Sequence, residues 1–322
     1  MAIIKSNTVN IKLAVNKLQD GELVAFPTET VYGLGADGLN EIAVSKIFEA
    51  KQRPSFNPLI LHVSSLEMLS DVASFTSDKI RLLTDKFWPG PLTLVLKKKD
   101  VVPYIVTSGL DTVAVRMPAN NVALDLIEYF GKPVAAPSAN SFSQLSPTEA
   151  EHVEKQLGDK VDIILDGGRC KVGVESTIIE VAENSQVLLR PGGITRKEIE
   201  ELIGPLSDPA ITEQSPNSPG QLKIHYAPNI PINFYDESEL TNYKNLKLGG
   251  IFFSEVKNHK KFEITKLLSP KREMHEAASN LFSHLHDLEQ LDLDMILVER
   301  VPKKDLGIAI MDRLTKAVNK YL

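Results

Sequence analysis

Short apolar runs alternate with amphipathic stretches from roughly residue 9 to residue 200. Most of the runs are rich in Val, Ile and Leu, which is typical of buried strands. One stretch has helical periodicity instead, since Ala43, Ile47 and Ala50 share a face with Val44 and Phe48 beside it. The predicted strands are Leu23–Phe26, Leu59–Val63, Leu92–Leu96, Thr112–Arg116, Val134–Ala136, Val161–Leu165 and Thr177–Val181. This mixture predicts an α/β fold with more strands than a repeated βα unit would give.

The pattern breaks between Pro205 and Pro231, where six prolines fall among Ser, Asn, Asp and Gly. This composition is typical of a linker. We therefore predict a larger domain at 1–204, a proline-rich linker at 205–230 and a smaller domain at 231–322.

The segment after the linker has a simpler pattern. Long connections separate its predicted strands, which favours a parallel, Rossmann-like α/β sheet. In the last predicted helix, Ile308, Met311, Leu314 and Ala317 form one apolar stripe. The predicted elements are the strands Ile232–Tyr235, Gly250–Phe253 and Met295–Val298 and the helices Met274–Leu291 and Asp305–Tyr321.

Composition and net charge exclude several classes of protein. The chain has 322 residues and a net charge of −6, so it is not a polycation that coats nucleic acid, and any RNA contact would need a local basic patch. The single cysteine, Cys170, excludes a disulfide framework and a thiolate metal cluster. We find no signal peptide and no long apolar segment, so we expect a cytoplasmic protein that does not bind membranes.

The segment Gly33-Leu-Gly-Ala-Asp-Gly38 matches the G-x-G-x-x-G dinucleotide pattern by its letters alone. It does not directly follow a predicted strand, and Arg53 stands where an acidic residue is expected. We therefore expect these glycines to serve a turn and the chain to need no organic cofactor.

Two polar clusters point to an anion site. Lys51 and Arg53 stand at the end of a predicted helix, shortly before Asn57. Cations are favoured at a helix end by the dipole alone, yet they also suit phosphate oxygens. Ser138 and Asn140 follow a buried strand, where hydroxyl and amide groups can bind a ligand.

Other candidates follow the remaining strands. Arg116 ends one strand, where it could clamp a carboxylate or form an ordinary salt bridge. The loop that contains Thr30 and Tyr32 could contact a ligand or form a hydrogen-bonded turn. His62 lies within an apolar strand, where a structural role is the more common one.

Together these segments resemble the YrdC-like family of L-threonylcarbamoyl-AMP synthases, in its two-domain form. The resemblance covers nearly the whole chain and is strongest over residues 20–195. The matching segments are Pro27–Leu34, Lys51-x-Arg53, Asn57–His62, Pro137–Asn140, Glu175–Ile178, Arg190–Gly192, His225–Pro228 and Ala309–Leu314.

The resemblance implies a twisted mixed sheet with a concave cavity and a nucleotidyltransferase reaction. Such enzymes join L-threonine, bicarbonate or CO₂ and ATP into L-threonylcarbamoyl-AMP and release pyrophosphate. A partner enzyme then transfers the threonylcarbamoyl group to the adenosine next to the anticodon of tRNA. Magnesium would accompany ATP, and its protein ligands stay open. A weak contact with tRNA is a further expectation.

The family's roles carry over to particular residues. Lys51 and Arg53 would stabilise charge on the phosphates during catalysis. The general base stays open between His62, the substrate and bicarbonate. ATP would be bound by Lys51, Arg53, Asn57, Ser138, Asn140, Ser146, Arg190, His225 and Tyr226. Threonine would be bound by Thr30, Tyr32, His62, Arg116 and Ser176.

His225 and Tyr226 would also let the linker close over the nucleotide as a lid. Two rival interpretations remain at this point. One is an RNA-binding module without catalysis, against which the acidic net charge argues. The other is a carbamoyl-adenylate enzyme that serves a different acceptor, although such enzymes usually carry zinc-finger or acylphosphatase-like modules that this chain lacks. The role of the C-terminal domain and the oligomeric state stay open.

Overall fold

The computed structural model describes residues 2–182, 185–209, 218–220 and 222–322. The linker predicted at 205–230 thus lies partly outside the described residues, at 210–217 and 221.

A large mixed sheet forms the first part of the fold. Within the described residues it has 11 strands in the order β1-β9-β2-β3-β8-β4-β7-β6-β10-β11, with β5 paired to β6 at the side. Parallel pairs such as β4–β7 and β6–β10 alternate with antiparallel ones such as β2–β3 and β6–β7. The strands are β1 (Ala2–Lys5), β2 (Val24–Phe26), β3 (Gly33–Asp37), β4 (Ile60–His62), β5 (Ala73–Ser74), β6 (Leu92–Lys98), β7 (Thr112–Arg116), β8 (Val134–Ala135), β9 (Ile163–Asp166), β10 (Thr177–Val181) and β11 (Gln186–Arg190).

Helices cover one face of this sheet fully and the other face in part. The largest apolar cluster packs on the first face, and α1 and α6 cover the opposite face over β2, β8 and β9. Over β4, β6, β7 and β10 that second face carries only a small cluster that includes Ile60 and Ile178. The helices are α1 (Thr8–Gln19), α2 (Glu41–Lys51), α3 (Leu66–Val72), α4 (Asp78–Phe87), α5 (Tyr104–Thr107), α6 (Asn121–Phe130), α7 (Ala150–Leu157) and α8 (Arg196–Ile203), with a 3-10 turn at Gly158–Lys160.

The second part is a parallel four-stranded sheet in the order β12-β15-β13-β14, as the sequence predicts. Its apolar core includes Val31, Leu145 and Val174 from the first part, so the two parts pack directly against each other. Its elements are β12 (Ile232–Phe234), β13 (Leu248–Phe252), β14 (Ile264–Leu267), α9 (Met274–Glu289), β15 (Met295–Val298) and α10 (Leu306–Val318), with 3-10 turns at Glu237–Tyr243 and His259–Lys261.

The prediction that the glycines from Gly33 to Gly38 serve a turn is wrong for Gly33 and Gly35, which lie in the strand β3, and confirmed for Gly38, which lies in the turn after it. A Cβ on Gly35 would lie 2.7 Å from the Phe26 ring and 2.8 Å from Val134. The glycine therefore lets neighbouring side chains of the sheet approach the backbone closely.

The predicted stripe of α10 is also partly wrong, because the side chain of Ile308 is 43% exposed. The buried positions include Ile310, Leu314 and Ala317, and Arg313 lies among them. A charged residue on the buried face of a helix needs a partner, and it finds one in the first part of the fold.

Within the residues that the structure describes, no helix is long and apolar enough to cross a bilayer.

Candidate active site

A small cavity lies where the uncovered part of the large sheet meets the linker. Its volume is about 50 Å³, and four residues of the linker form part of its lining. Its lining residues are Thr28, Val31, Tyr32, Gly33, Arg53, Ile60, His62, Ala136, Pro137, Ser138, Glu175, Arg190, Pro219, Gly220, His225 and Tyr226.

The end of α2 places one buried cation, Arg53, in the lining of this cavity and a second, Lys51, behind it. Gln52 caps the helix in the left-handed conformation and turns the chain so that Arg53 lines the cavity. The Lys51 ammonium donates to the backbone oxygens of Ser138, at 2.6 Å, and Asn140. The Arg53 guanidinium donates to the carbonyls of Asn57 at 3.0 Å and Pro58 at 2.8 Å.

These two cations lack a carboxylate partner within the described residues. Burial, and then the charge of Arg53, lowers the pKa of Lys51 well below its ordinary value. Burial likewise lowers the pKa of Arg53 to about 9. A phosphate bound nearby would favour the charged form of both groups.

The side chain of Asn57 is fully buried, and neither its amide nitrogen nor its amide oxygen has a hydrogen-bond partner among the described residues. The amide oxygen of Asn140 and the Nδ1 atoms of His62 and His225 are likewise buried without partners. Buried polar atoms are nearly always hydrogen-bonded in proteins, so these four residues are candidates for contact with a polar ligand or with water.

The ends of β10 and β11 supply a third cation. Arg190 donates to the Ser176 carbonyl at 2.9 Å, to the Ser176 hydroxyl at 3.1 Å and to the Pro219 carbonyl at 3.3 Å. The Ser176 hydroxyl also bonds Thr93 at 2.7 Å. Arg190 thus ties the start of β10 to the linker.

The loop between β2 and β3 is both a hydrogen-bonded turn and a wall of the cavity. The Thr28 hydroxyl contacts the Thr30 hydroxyl at 2.8 Å and donates to the Val31 carbonyl at 2.6 Å. The Tyr32 hydroxyl donates to the Gly168 carbonyl at 2.8 Å. The hydrogen-bonded turn is therefore observed, and contact of the loop with a ligand stays a prediction.

Arg116 belongs to the wall behind that loop. Its guanidinium donates to the Thr30 hydroxyl at 2.9 Å and pairs with the buried Glu29 carboxylate at 2.7 Å. This contact lacks the alignment of a hydrogen bond, and both Glu29 oxygens are buried without other partners. Glu29 is thus a buried acid in the loop that was predicted to form either ligand contacts or a hydrogen-bonded turn.

His62 is a weak candidate for the general base. Burial, and then the charge of Arg116, lowers its pKa to about 3. A group with that pKa takes up a proton poorly near neutral pH. This favours the substrate or bicarbonate over His62.

The linker closes the cavity from the side of the C-terminal domain. The Tyr226 residue has a positive φ of 62° and is 2% exposed. The His225 ring lies 4.1 Å from the Tyr226 ring and 5.9 Å from the Phe142 ring. These two side chains cover the space beside Arg53 and Ser138.

Glu175 and Arg313 also belong to the site, although neither was among the predicted site residues. Glu175 lines the cavity, and its two carboxylate oxygens accept from the Ser146 hydroxyl at 2.5 Å and from Arg313 of α10 at 2.8 Å. A signal was available for Arg313, since it interrupts the apolar face of a helix.

The predicted site residues therefore fall into two layers. Arg53, Ser138, Arg190, His225, Tyr226, Tyr32 and His62 line the cavity. The others lie behind this layer, joined to it by side-chain or backbone contacts. They are Lys51, Asn57, Asn140, Ser146, Thr30, Arg116 and Ser176. The assignment of individual residues to ATP or threonine stays a prediction.

Comparison with known proteins covers both parts of the chain. Residues 16–192 match the family described as Telomere recombination, which includes the YrdC proteins, and residues 194–318 match the threonylcarbamoyl-AMP synthase C-terminal domain. The threonylcarbamoyl-AMP synthase of Pyrococcus abyssi is 44% identical over 95% of this chain and 93% of its own. The chain belongs to the threonylcarbamoyl-AMP synthase family.

Two further relatives extend this finding. The threonylcarbamoyl-AMP synthase of Bacillus subtilis is 41% identical over 98% of this chain and 94% of its own. The crystal structure of Pyrococcus abyssi Sua5 complexed with L-threonine superposes with a TM-score of 0.90 at 42% identity, covering 99% of this chain and 96% of that one. The family and the two-part mixed and parallel fold predicted from the sequence are thereby confirmed.

Proposed function

We propose that this chain makes L-threonylcarbamoyl-AMP from L-threonine, bicarbonate or CO₂ and ATP, and releases pyrophosphate. The amine of threonine loses a proton and forms a carbamate with CO₂. A carbamate oxygen then bonds to the α-phosphorus of ATP, and the bond from that phosphorus to the bridging oxygen of pyrophosphate breaks. The product supplies a partner enzyme that modifies the adenosine next to the anticodon of tRNA. We expect the reaction in the cytoplasm.

The observation that carries this proposal is the charge at the cavity. Lys51, Arg53 and Arg190 are held by carbonyl or hydroxyl oxygens and have no carboxylate partner within the described residues. Their charge is thus available for the phosphates, where negative charge develops as pyrophosphate leaves. The unpartnered amide of Asn57 adds donors and acceptors for the same ligand.

We propose that magnesium enters with ATP, held by phosphate oxygens and water. Within the described residues, no group of three or more His, Cys, Asp or Glu side chains could hold a metal ion. The Glu175 carboxylate at the cavity already accepts two hydrogen bonds. This donor set fits a metal that arrives on its substrate, and the metal would neutralise phosphate charge.

The proposal is tested by incubating the full chain with ATP, magnesium, L-threonine and ¹³C-bicarbonate and analysing the products by mass spectrometry. We expect L-threonylcarbamoyl-AMP that carries the label, and pyrophosphate release that requires both threonine and bicarbonate. Pyrophosphate release that is unchanged when threonine or bicarbonate is left out would overturn the proposal.

The lid is tested by truncation. We expect a chain that ends before Pro216, which falls outside the described residues, to form less product and to lose it faster to hydrolysis. Unchanged product formation and product lifetime would contradict a lid role for His225 and Tyr226.

A further inference from the structure

Helix α10 brings a buried arginine from the C-terminal domain against a carboxylate that lines the cavity. The Arg313 side chain is 1% exposed. Its Nε donates to the Glu175 carboxylate at 2.8 Å, and a terminal nitrogen donates to the Pro191 carbonyl at 2.8 Å. One side chain thus joins two segments of the first domain, the start of β10 and the end of β11.

The contact with Glu175 fixes a carboxylate that lines the cavity. One Glu175 oxygen accepts a hydrogen bond from Arg313, and the other accepts one from the Ser146 hydroxyl at 2.5 Å. With both oxygens engaged, the carboxylate has one favoured orientation and its charge is balanced. A carboxylate that was free here would repel the phosphates that Arg53 and Arg190 are placed to bind.

Arg313 also supports the linker. Its guanidinium lies 5.1 Å from the centre of the Tyr226 ring, a distance that permits a cation–π contact. Tyr226 has a strained positive φ, so its position depends on the contacts around it.

The same helix binds the linker backbone on both sides of Tyr226. Lys316 donates to the Gly220 carbonyl at 2.7 Å, and Tyr321, just beyond the helix, donates to the Pro228 carbonyl at 2.7 Å. Arg313 is the member of this group that also contacts the first domain's carboxylate. It therefore lies at the junction of both domains and the linker.

We infer that Arg313 is a positioning residue for the nucleotide: from the C-terminal domain it orients Glu175 and Tyr226 at the cavity. This gives the C-terminal domain a part in substrate binding, and it rests on the proposed function. Lysine cannot replace arginine fully, because one ammonium cannot donate in two fixed directions and cover a ring at once.

The test compares R313M and R313K with R300M in the full chain. Arg300 is a control because it also lies in the C-terminal domain over an aromatic ring, that of Phe234 at 4.0 Å, but is exposed at the surface. Pyrophosphate release gives kcat and KM, calorimetry gives the Kd for ATP, and thermal unfolding reports stability.

We expect R313M to raise the KM and Kd for ATP by about tenfold to a hundredfold, the range for loss of a charge-assisted hydrogen bond. R313K should fall between R313M and the parent, and R300M should match the parent. A residue with only a structural role would lower the unfolding temperature and leave the KM and Kd of folded enzyme unchanged. That result would overturn the inference.

A double variant tests whether Arg313 acts through the linker. If it does, the effects of R313M and Y226L on the Kd for ATP should be less than additive. If R313M does not fold, R313K carries the test, and an unchanged Kd in folded R313K overturns the inference. Absence of threonine-dependent turnover in the parent chain would instead remove the proposed function, while the ATP affinities would still decide the role of Arg313.

Discussion

The cations around the cavity form two groups that differ in what surrounds them. Lys51 and Arg53 are bound by backbone carbonyls, and no carboxylate of the described residues pairs with them. Arg116 and Arg313 pair with the buried carboxylates of Glu29 and Glu175. We call the first group the carbonyl-held wall and the second the paired wall.

The difference explains how the protein can place several cations around one cavity and still fold. A carbonyl satisfies the hydrogen-bonding needs of a buried cation but leaves its charge largely uncompensated, which the lowered pKa of Arg53, about 9, reflects. A carboxylate neutralises the cation, so the pair is stable without ligand. The carbonyl-held wall is therefore suited to an anionic substrate, and the paired wall is suited to holding the architecture around it.

The largest effect is expected at the carbonyl-held wall. R53M removes an uncompensated charge at the cavity, so we expect pyrophosphate release to fall about 100-fold to 1000-fold, the range for loss of one group that stabilises transition-state charge. K51M should behave similarly. The rate per folded molecule is measured together with circular dichroism. R300M is the control, and a loss smaller than that of R313M would contradict the distinction between the walls.

The next effect is expected at the paired wall and concerns stability. E175Q leaves Asp312, at 2.8 Å, as the remaining carboxylate partner of the buried Arg313, so we expect a cost below the roughly 3–5 kcal/mol that breaking an isolated buried pair would have. We expect the denaturant midpoint to fall accordingly, while the turnover of folded E175Q falls less than that of R53M. E299Q is a control, because Glu299 binds Lys257 in a more exposed pair at 2.6 Å. A stable but inactive E175Q would place Glu175 in the chemistry instead.

The two walls also differ in how far the sequence could predict them. Lys51, Arg53 and Asn57 follow one another along the chain, so a local pattern reveals them. The pairing of Glu175 with Arg313 joins residues 138 positions apart across two domains, and no local pattern contains that contact. Glu29 was visible in a quoted motif, but its burial against Arg116 depends on how β7 meets the loop before β3.

The fold shows the same division. Apolar runs such as Thr112–Arg116 and Met295–Val298 predicted their strands fully, because a buried strand needs side chains that fill both faces. Gly33–Asp37 was mistaken for a turn. Its glycines are required because side chains on β2 and β8 pack closely against them, and not because the backbone turns there. The predicted stripe of α10 failed at Ile308 because the buried face of the helix is centred near Ile310 and Leu314, and Ile308 lies on the opposite side.

A smaller effect is expected on the pH dependence of stability, and it comes from two buried histidines behind the paired wall. Behind the paired wall, His286 of α9 stacks on His152 of α7 at 3.8 Å and bonds the Ser146 carbonyl at 3.1 Å. Burial lowers the pKa of His152 to about 4 and that of His286 to about 3, from an ordinary value of 6.5. Between the lowered pKa values and pH 6.5, the unfolded chain binds more protons than the folded chain. The free energy of unfolding is therefore greatest above about pH 6.5 and falls as the pH is lowered.

We expect the free energy of unfolding to fall by about 3 kcal/mol for each histidine on acidification to pH 4, and the slope to be smaller in H286Q. Urea unfolding across this range gives the measurement. H275Q, at an exposed position of the same helix, should keep the parent's slope. If H286Q kept the parent's full loss of stability in acid, the stacked pair of His152 and His286 would not be the cause of that loss.

The smallest effect tests the carbonyl-held wall without catalysis. Burial and Arg53 lower the pKa of Lys51, and a bound phosphate would raise it again, so ATP binding should take up part of a proton, less than about one per site. Calorimetry in buffers of different ionisation enthalpy measures this uptake, which K51M should remove. R313K should retain it, since Glu175 balances that cation before ATP arrives. Uptake that survived in K51M would mean that the uncompensated charge lies elsewhere.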